Sequence, residues 1–113
     1  MSMRVTRVGD AERFDSSGHH GVVPMRLQGD QSSPTDGFTV VLSNYESGGA
    51  ADTAAQPAET VYVMVSGELT FESGDDIVRL GPLDSVHFPA GAARSVRNET
   101  DEPASMIVIR SKR

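Results

Sequence analysis

The sequence predicts an all-β domain closed into a sandwich or barrel, on three observations. Apolar residues come in short runs rich in valine and isoleucine, and no segment sustains a 3.6-residue helical period. Turn-forming residues separate the runs at the spacing of antiparallel hairpins. The 113 residues suffice for one enclosed core and are too few for two, so residues 1–113 are expected to form a single domain.

Strands are expected at 4–8, 22–28, 38–45, 60–65, 69–72, 77–80, 85–88, 95–97 and 104–109. The turns between them are carried by Ser66-Gly67, Ser73-Gly74-Asp75-Asp76, Gly81-Pro82 and Pro89-Ala90-Gly91, which supply the fixed or positive φ that a reversal needs. The run 60–65 is almost continuously apolar, so both of its faces are expected to be covered. Two longer connections, 29–37 and the glycine- and alanine-rich 46–59, are expected to be loops that border a binding mouth.

Composition removes several function classes. An apolar fraction of 37% and a mean hydropathy of -0.30 accompany the absence of any apolar run long enough to span a bilayer, so no membrane crossing is expected. Residues 1–9 lack the apolar stretch of a secretory signal, and a cytoplasmic location is the expectation. Without cysteine there is no disulfide, thiolate nucleophile or sulfur-ligated metal. A net charge of -6 with scattered basic residues argues against nucleic acid as a partner, and the terminal Arg110, Lys112 and Arg113 read as a solvated tail.

Two stretches carry a recognisable spacing. Gly48, Ala54, Gln56, Thr60 and Gly67 fall where one motif has glycine, His-x-His, glutamate and glycine. Further on, Leu83, Pro89, Gly91, Arg94 and Asn98 fall where a second has glycine, Pro-x-Gly, histidine and asparagine. Over 48–98 the chain resembles the cupin superfamily, in particular its small single-domain cupin-2 type. The resemblance implies a jelly-roll β-barrel, closed by the strands outside the motif region, and a barrel interior that holds the site. It does not fix a function, because cupins include dioxygenases, isomerases, epimerases, storage proteins and sensors.

All four positions that hold a metal in the family are substituted here, by Ala54, Gln56, Thr60 and Arg94. Alanine donates nothing, the neutral oxygens of glutamine and threonine are weak ligands, and an arginine repels a cation. No metal and no other cofactor is therefore expected. Displaced ligands would have to come from His19, His20 or His87. Adjacent strand residues point to opposite faces, so His19 and His20 can share an ion only within a turn, which Ser16-Ser17-Gly18 and Gly21 would permit. His87 lies between Val86 and Phe88 and is expected to face away from the core, toward solvent or a partner subunit.

The expected ligand-binding set is Arg94, Gln56, Thr60, Tyr62 and Met64, the last two sharing strand parity with Gln56 and Thr60. If Arg94 enters the barrel, its charge needs a partner, which is either a small carboxylate ligand or an internal glutamate such as Glu59 or Glu72. The expectation is thus a metal-free protein that binds a small anionic organic molecule. Two alternatives stand beside it: a metal-independent isomerase, epimerase or lyase in which Tyr62, His87 or Glu59 moves a proton, and a metal-dependent oxygenase with displaced ligands. The outward parity of Val61, Val63 and Val65, with the final apolar strand, leads to the expectation of a homodimer.

Overall fold

The computed structural model describes residues 2–112 and folds them almost wholly into strands. They are β1 (Glu12–Arg13), β2 (His19–Gln28), β3 (Phe38–Ala55), β4 (Thr60–Ser66), β5 (Leu69–Ser73), β6 (Asp76–Leu80), β7 (Ser85–Phe88), β8 (Ala93–Arg97) and β9 (Ala104–Ser111). All pairings are antiparallel, in the order β6-β5-β8-β3-β9-β4-β7, with β2 on β3 and β1 on β2. The sheet curls into a jelly-roll barrel that stays open only between its ends, β6 and β7.

β3 makes the curl possible. Its first part pairs with β9 from Phe38↔Ser111 to Tyr45↔Ala104, and its last part pairs with β8 from Ala50↔Arg97 to Ala55↔Ala93. The segment 46–59, expected as a loop, is therefore mostly strand. Its glycines serve close backbone approach rather than disorder. Gly48 sits at φ +80°, and a Cβ on Gly49 would lie 2.5 Å from the Gly21 carbonyl. A buried Asn98 ties this crossing to the end of β8, donating its main-chain N–H to Gly49 (2.8 Å) and its side-chain amide to the carbonyl of Glu102 (2.7 Å).

The other departures lie at the ends. Residues 4–8 form no strand, and a single 3-10 turn at Val8–Asp10 follows them, with Val5 and Val8 exposed. Alternation alone gave these valines no sheet to face, since the edge of β2 is taken by β1. At the other end the chain is docked, not a solvated tail, through Lys112. The Ser111 N–H donates to Glu59 O and the Lys112 N–H to Gly37 O, both at 3.0 Å. Arg113, also expected in that tail, lies outside the described residues.

Inside the barrel, alternate residues of each strand meet. Thr60, Tyr62 and Met64 of β4 are buried while Val61 and Val63 between them are half-buried, as period-2 geometry requires. Tyr62 packs its ring on Phe71 and edge-on to Phe88, with centroids 5.5 and 5.7 Å apart. Met106 and Val108 of β9, Val96 of β8 and Leu69 of β5 complete the core.

Candidate functional site

Toward the β2 and β9 side of this core the interior opens into a cavity walled by Tyr45, Tyr62, Arg94, Arg110, His19 and Phe14, among others. It offers about 50 Å³ to the centres of water-sized molecules, room for about three to five water-sized groups.

Arg94 dominates it. β8 places this residue opposite Ala54, so two positions of the family's metal site are direct neighbours across the β3–β8 ladder. The side chain turns inward and only 4% of it remains exposed. Its Nε donates to the Tyr62 hydroxyl (2.9 Å) and one terminal nitrogen to the Asp52 carbonyl (3.1 Å). That carbonyl belongs to a register irregularity between Ala51 and Ala54, where the ladder is interrupted. Neither glutamate offered by the sequence reaches Arg94: Glu72 pairs with Arg97 (3.0 Å) and Glu59 with His87 (2.7 Å), both near the surface. Among the described residues Arg94 has no carboxylate partner.

A second arginine, Arg110, was expected in a solvated tail and instead belongs to β9 at the barrel interior. Arg110 shares the inward parity of Met106 and Val108, and the residue is among those that border the same cavity. One terminal nitrogen donates to Gln56 Oε1 (2.9 Å), while its Nε is buried with no hydrogen-bond partner. The alternation of β9 was the available signal, and it was masked by the neighbouring Lys112 and Arg113. His19 and Tyr45 are likewise cavity residues that motif spacing does not reach.

The expected site residues divide. Arg94 and Tyr62 line the cavity, whereas Gln56, Thr60 and Met64 are buried but not among its walls. Gln56 holds Arg110, the Thr60 hydroxyl donates to the Ala58 carbonyl (3.0 Å), and Met64 packs in the core.

The histidines separate. His19 and His20 lie on β2 rather than in a turn and face opposite ways, His19 toward the cavity and His20 outward to Asp52 (3.2 Å). His87 is far along the outer surface with Glu59. His19 Nδ1 faces the Ser17 carbonyl at 3.0 Å, which can only accept, so Nδ1 carries the hydrogen and Nε2 is left with a lone pair. Burial holds the His19 pKa below its ordinary value, with Arg94 and Arg110 adding to the depression against the Ser17 hydrogen bond. Burial also pushes the Tyr45 phenol well above its usual range, so it stays protonated.

A divalent metal does not fit these donors. The four family positions hold a methyl group, an amide already engaged by Arg110, a hydroxyl engaged by Ala58, and a guanidinium. No group of three or more histidine, aspartate or glutamate side chains converges elsewhere among the described residues.

The profile of the cupin domain matches residues 41–110. This chain belongs to the cupin family. A Mycobacterium tuberculosis protein named a beta-D-galactosidase is 43% identical to it over 106 residues, covering 94% of this chain and 91% of the relative. Among solved structures, the polyketide cyclase RemF from Streptomyces resistomycificus superposes with a TM-score of 0.87 at 14% identity, over 98% of this chain and 80% of that one. A sugar phosphate isomerase of the cupin superfamily from Silicibacter pomeroyi gives 0.82 at 23% identity, over 95% of this cupin and 74% of the other. At such identities the two structures speak for the shared barrel alone. The cupin barrel here keeps the family's turns: Gly67 sits at φ +72°, and Leu83, at the position of the second motif's glycine, keeps a left-handed φ of +71°.

Proposed function

We propose that this cupin binds a small anionic organic molecule in its barrel without a metal, Arg94 receiving the acidic group. The observation that carries the reading is an arginine, Arg94, that is 4% exposed and has no carboxylate partner among the described residues. A cation removed from water costs several kcal/mol unless it is compensated, and two neutral acceptors compensate only in part. The donor balance of the cavity supports the same ligand class. The Tyr62 oxygen accepts from Arg94, so its own hydrogen remains to be given. No aspartate or glutamate side chain is among the walls. Such a cavity wants acceptors, and a carboxylate brings them.

A second reading is supported by the Mycobacterium tuberculosis relative: action on a β-galactoside. Glycoside hydrolysis usually employs two carboxyl groups flanking the bond, and the cavity walls supply none. The acid reading and the sugar-directed name are compatible if the ligand is a sugar acid whose acidic end enters the cavity. His87 and Glu59, the proton carriers of the isomerase or lyase alternative, are paired at the outer surface, so that alternative would fall to Tyr62 or His19.

The test is a thermal-shift screen of short-chain carboxylates, aldonic and uronic acids and neutral galactosides on the purified protein, with release of nitrophenol from a nitrophenyl β-D-galactoside measured in parallel. Stabilisation by acids and not by neutral sugars supports the reading. Stabilisation confined to neutral galactosides, with turnover, replaces it by the second.

A further inference from the structure

The cavity is smaller than a sugar acid or a galactoside. It takes about three to five water-sized groups, enough for acetate, and a hexose ring with its substituents exceeds that about twofold. Its walls are held unequally. Tyr45, Tyr62, Arg94 and Met106 are buried residues of β3, β4, β8 and β9, each a strand paired on both sides. Phe14 and Ser16 belong instead to the strap 14–18 that joins β1 to β2, and no residue of that strap is buried. After Phe14 its residues are Asp15, Ser16, Ser17 and Gly18, which favour a turn and bring no apolar side chain to pack against the barrel.

The strap is fastened at its two ends. At the first, the Phe14 N–H donates to Pro24 O (3.1 Å), and the Arg26 guanidinium lies over the Phe14 ring, 3.9 Å from its centroid. At the second, Asp52 of β3 takes hold twice. Its main-chain N–H donates to Gly18 O (2.8 Å), and its carboxylate accepts from His20 Nε2 (3.2 Å), both of these side chains being exposed. The β2–β3 ladder is irregular just beyond, between His20 and Val22, so the start of β2 is set off from the rest of that strand. Asp52 also gives its carbonyl to Arg94 (3.1 Å), which puts the fastening of the strap on a residue that orients the guanidinium.

We infer that the strap 14–18 is the gate of the barrel cavity, hinged at Phe14 and latched to β3 by Asp52, and that acids too large for the closed cavity bind only when the latch lets go. The size selection rests on the anion reading, whereas the gate does not. A segment without buried residues, held at one end by two bonds near the surface, opens at the cost of those contacts alone while the barrel stays folded. Gly18 supplies the joint, since its φ of +74° is one that glycine adopts without strain. A ligand that projected from a fixed mouth would need no such movement, and locking the strap would leave its affinity unchanged.

The test is a lock. A Cβ on Gly18 would lie 3.8 Å from the Asp52 Cβ, the usual separation across a disulfide, and the chain has no cysteine of its own, so oxidising Gly18→Cys/Asp52→Cys joins one defined pair. Oxidised and dithiothreitol-reduced forms of this one protein share whatever strain the new side chains bring. Calorimetry with acetate and galacturonate should show galacturonate affinity at least about tenfold lower in the oxidised form, with acetate within about threefold between the two. Equal galacturonate affinity in both forms, or an equal loss for both acids, would overturn the inference. If neither acid binds the reduced form or the wild type, the anion reading fails, and the gate is decided without a ligand by amide hydrogen exchange in the wild type; the same measurement decides if the double variant does not fold. The Asp52 N–H, bonded across the latch, should exchange at least about a hundredfold faster than the Gln56 N–H, which donates to Ala92 O at 2.9 Å. Equal protection of the two amides would mean that the latch opens only with the barrel, and would overturn the gate.

Discussion

Leu83→Gly should stabilise this protein. Leu83 is the third residue of a tight turn in which Pro82 holds the second place and the Asp84 N–H closes back on Gly81 O at 3.0 Å. Its φ of +71° is the one positive value at a non-glycine residue among those described, and a turn with Pro second and positive φ third asks for glycine. An L-residue in that region pays about 1–2 kcal/mol, and the greater freedom of glycine in the unfolded chain returns about 0.5–1 kcal/mol of that. The side chain is 85% exposed, so little packing is lost with it. The net gain is about 0.5–1 kcal/mol. At about 2.1 cal/mol/K per residue, unfolding 113 residues carries about 0.24 kcal/mol/K, which converts the gain into about 2–4 °C of Tm. Calorimetric melts of wild type, Leu83→Gly and Leu83→Ala measure it directly. Alanine keeps the strain and should not raise Tm. A Tm for Leu83→Gly at or below that of wild type, or an equal rise with alanine, would refute the reasoning.

Three further outcomes are expected. Gly67→Ala should cost about 2–4 kcal/mol in urea unfolding, because φ is +72° and the new Cβ would lie 2.6 Å from the Pro103 carbonyl; a loss under 1 kcal/mol would contradict the turn geometry. His19 has a folded pKa below its unfolded value of 6.5, so the unfolded chain takes up the proton first and stability should fall as pH drops through about 6.5, levelling once the folded pKa is passed. His19→Gln should flatten that part of the curve, and superimposable curves for the two proteins between about pH 5 and 8 would show that burial of this imidazole has no energetic consequence. We also propose that a second copy covers the outer face of β3, β9 and β4, where Val40, Ile109 and Val61 form one apolar row and Leu42, Ile107 and Val63 the next; light scattering at micromolar concentration should give a dimer, and a monomer would count against it.

How far the sequence could be read depended on how local each signal was. β4 was legible because valine alternates with Thr60, Tyr62 and Met64 up to the Ser66-Gly67 turn, and β7 because Val86 and Phe88 alternate between two proline-containing turns. The motif register gave Arg94 a place inside the barrel, where the structure sets it against the Tyr62 hydroxyl, since period 2 leaves little freedom once the register is known. The second half of β3 was not legible: glycine and alanine signal loop by composition, and only the approach of the Gly21 carbonyl to Gly49 shows why a strand needs them. Gln56 and Thr60 were placed inside correctly, but whether an inward side chain meets a cavity or a neighbour depends on packing from other strands. Arg110 is the mirror case, an inward cation hidden by its position near two other basic residues.

The central claim is that Arg94 receives the anion. Any acid that stabilises the protein in the thermal-shift screen should be titrated calorimetrically into wild type, Arg94→Ala and Arg94→Lys. Charge-assisted hydrogen bonds are worth about 1.5–3 kcal/mol each, so Arg94→Ala should weaken binding by at least about tenfold, and Arg94→Lys should restore only part because a point charge lacks the planar fork. Binding to Arg94→Ala as tight as to wild type would make the arginine a structural residue and remove the basis for an anion site.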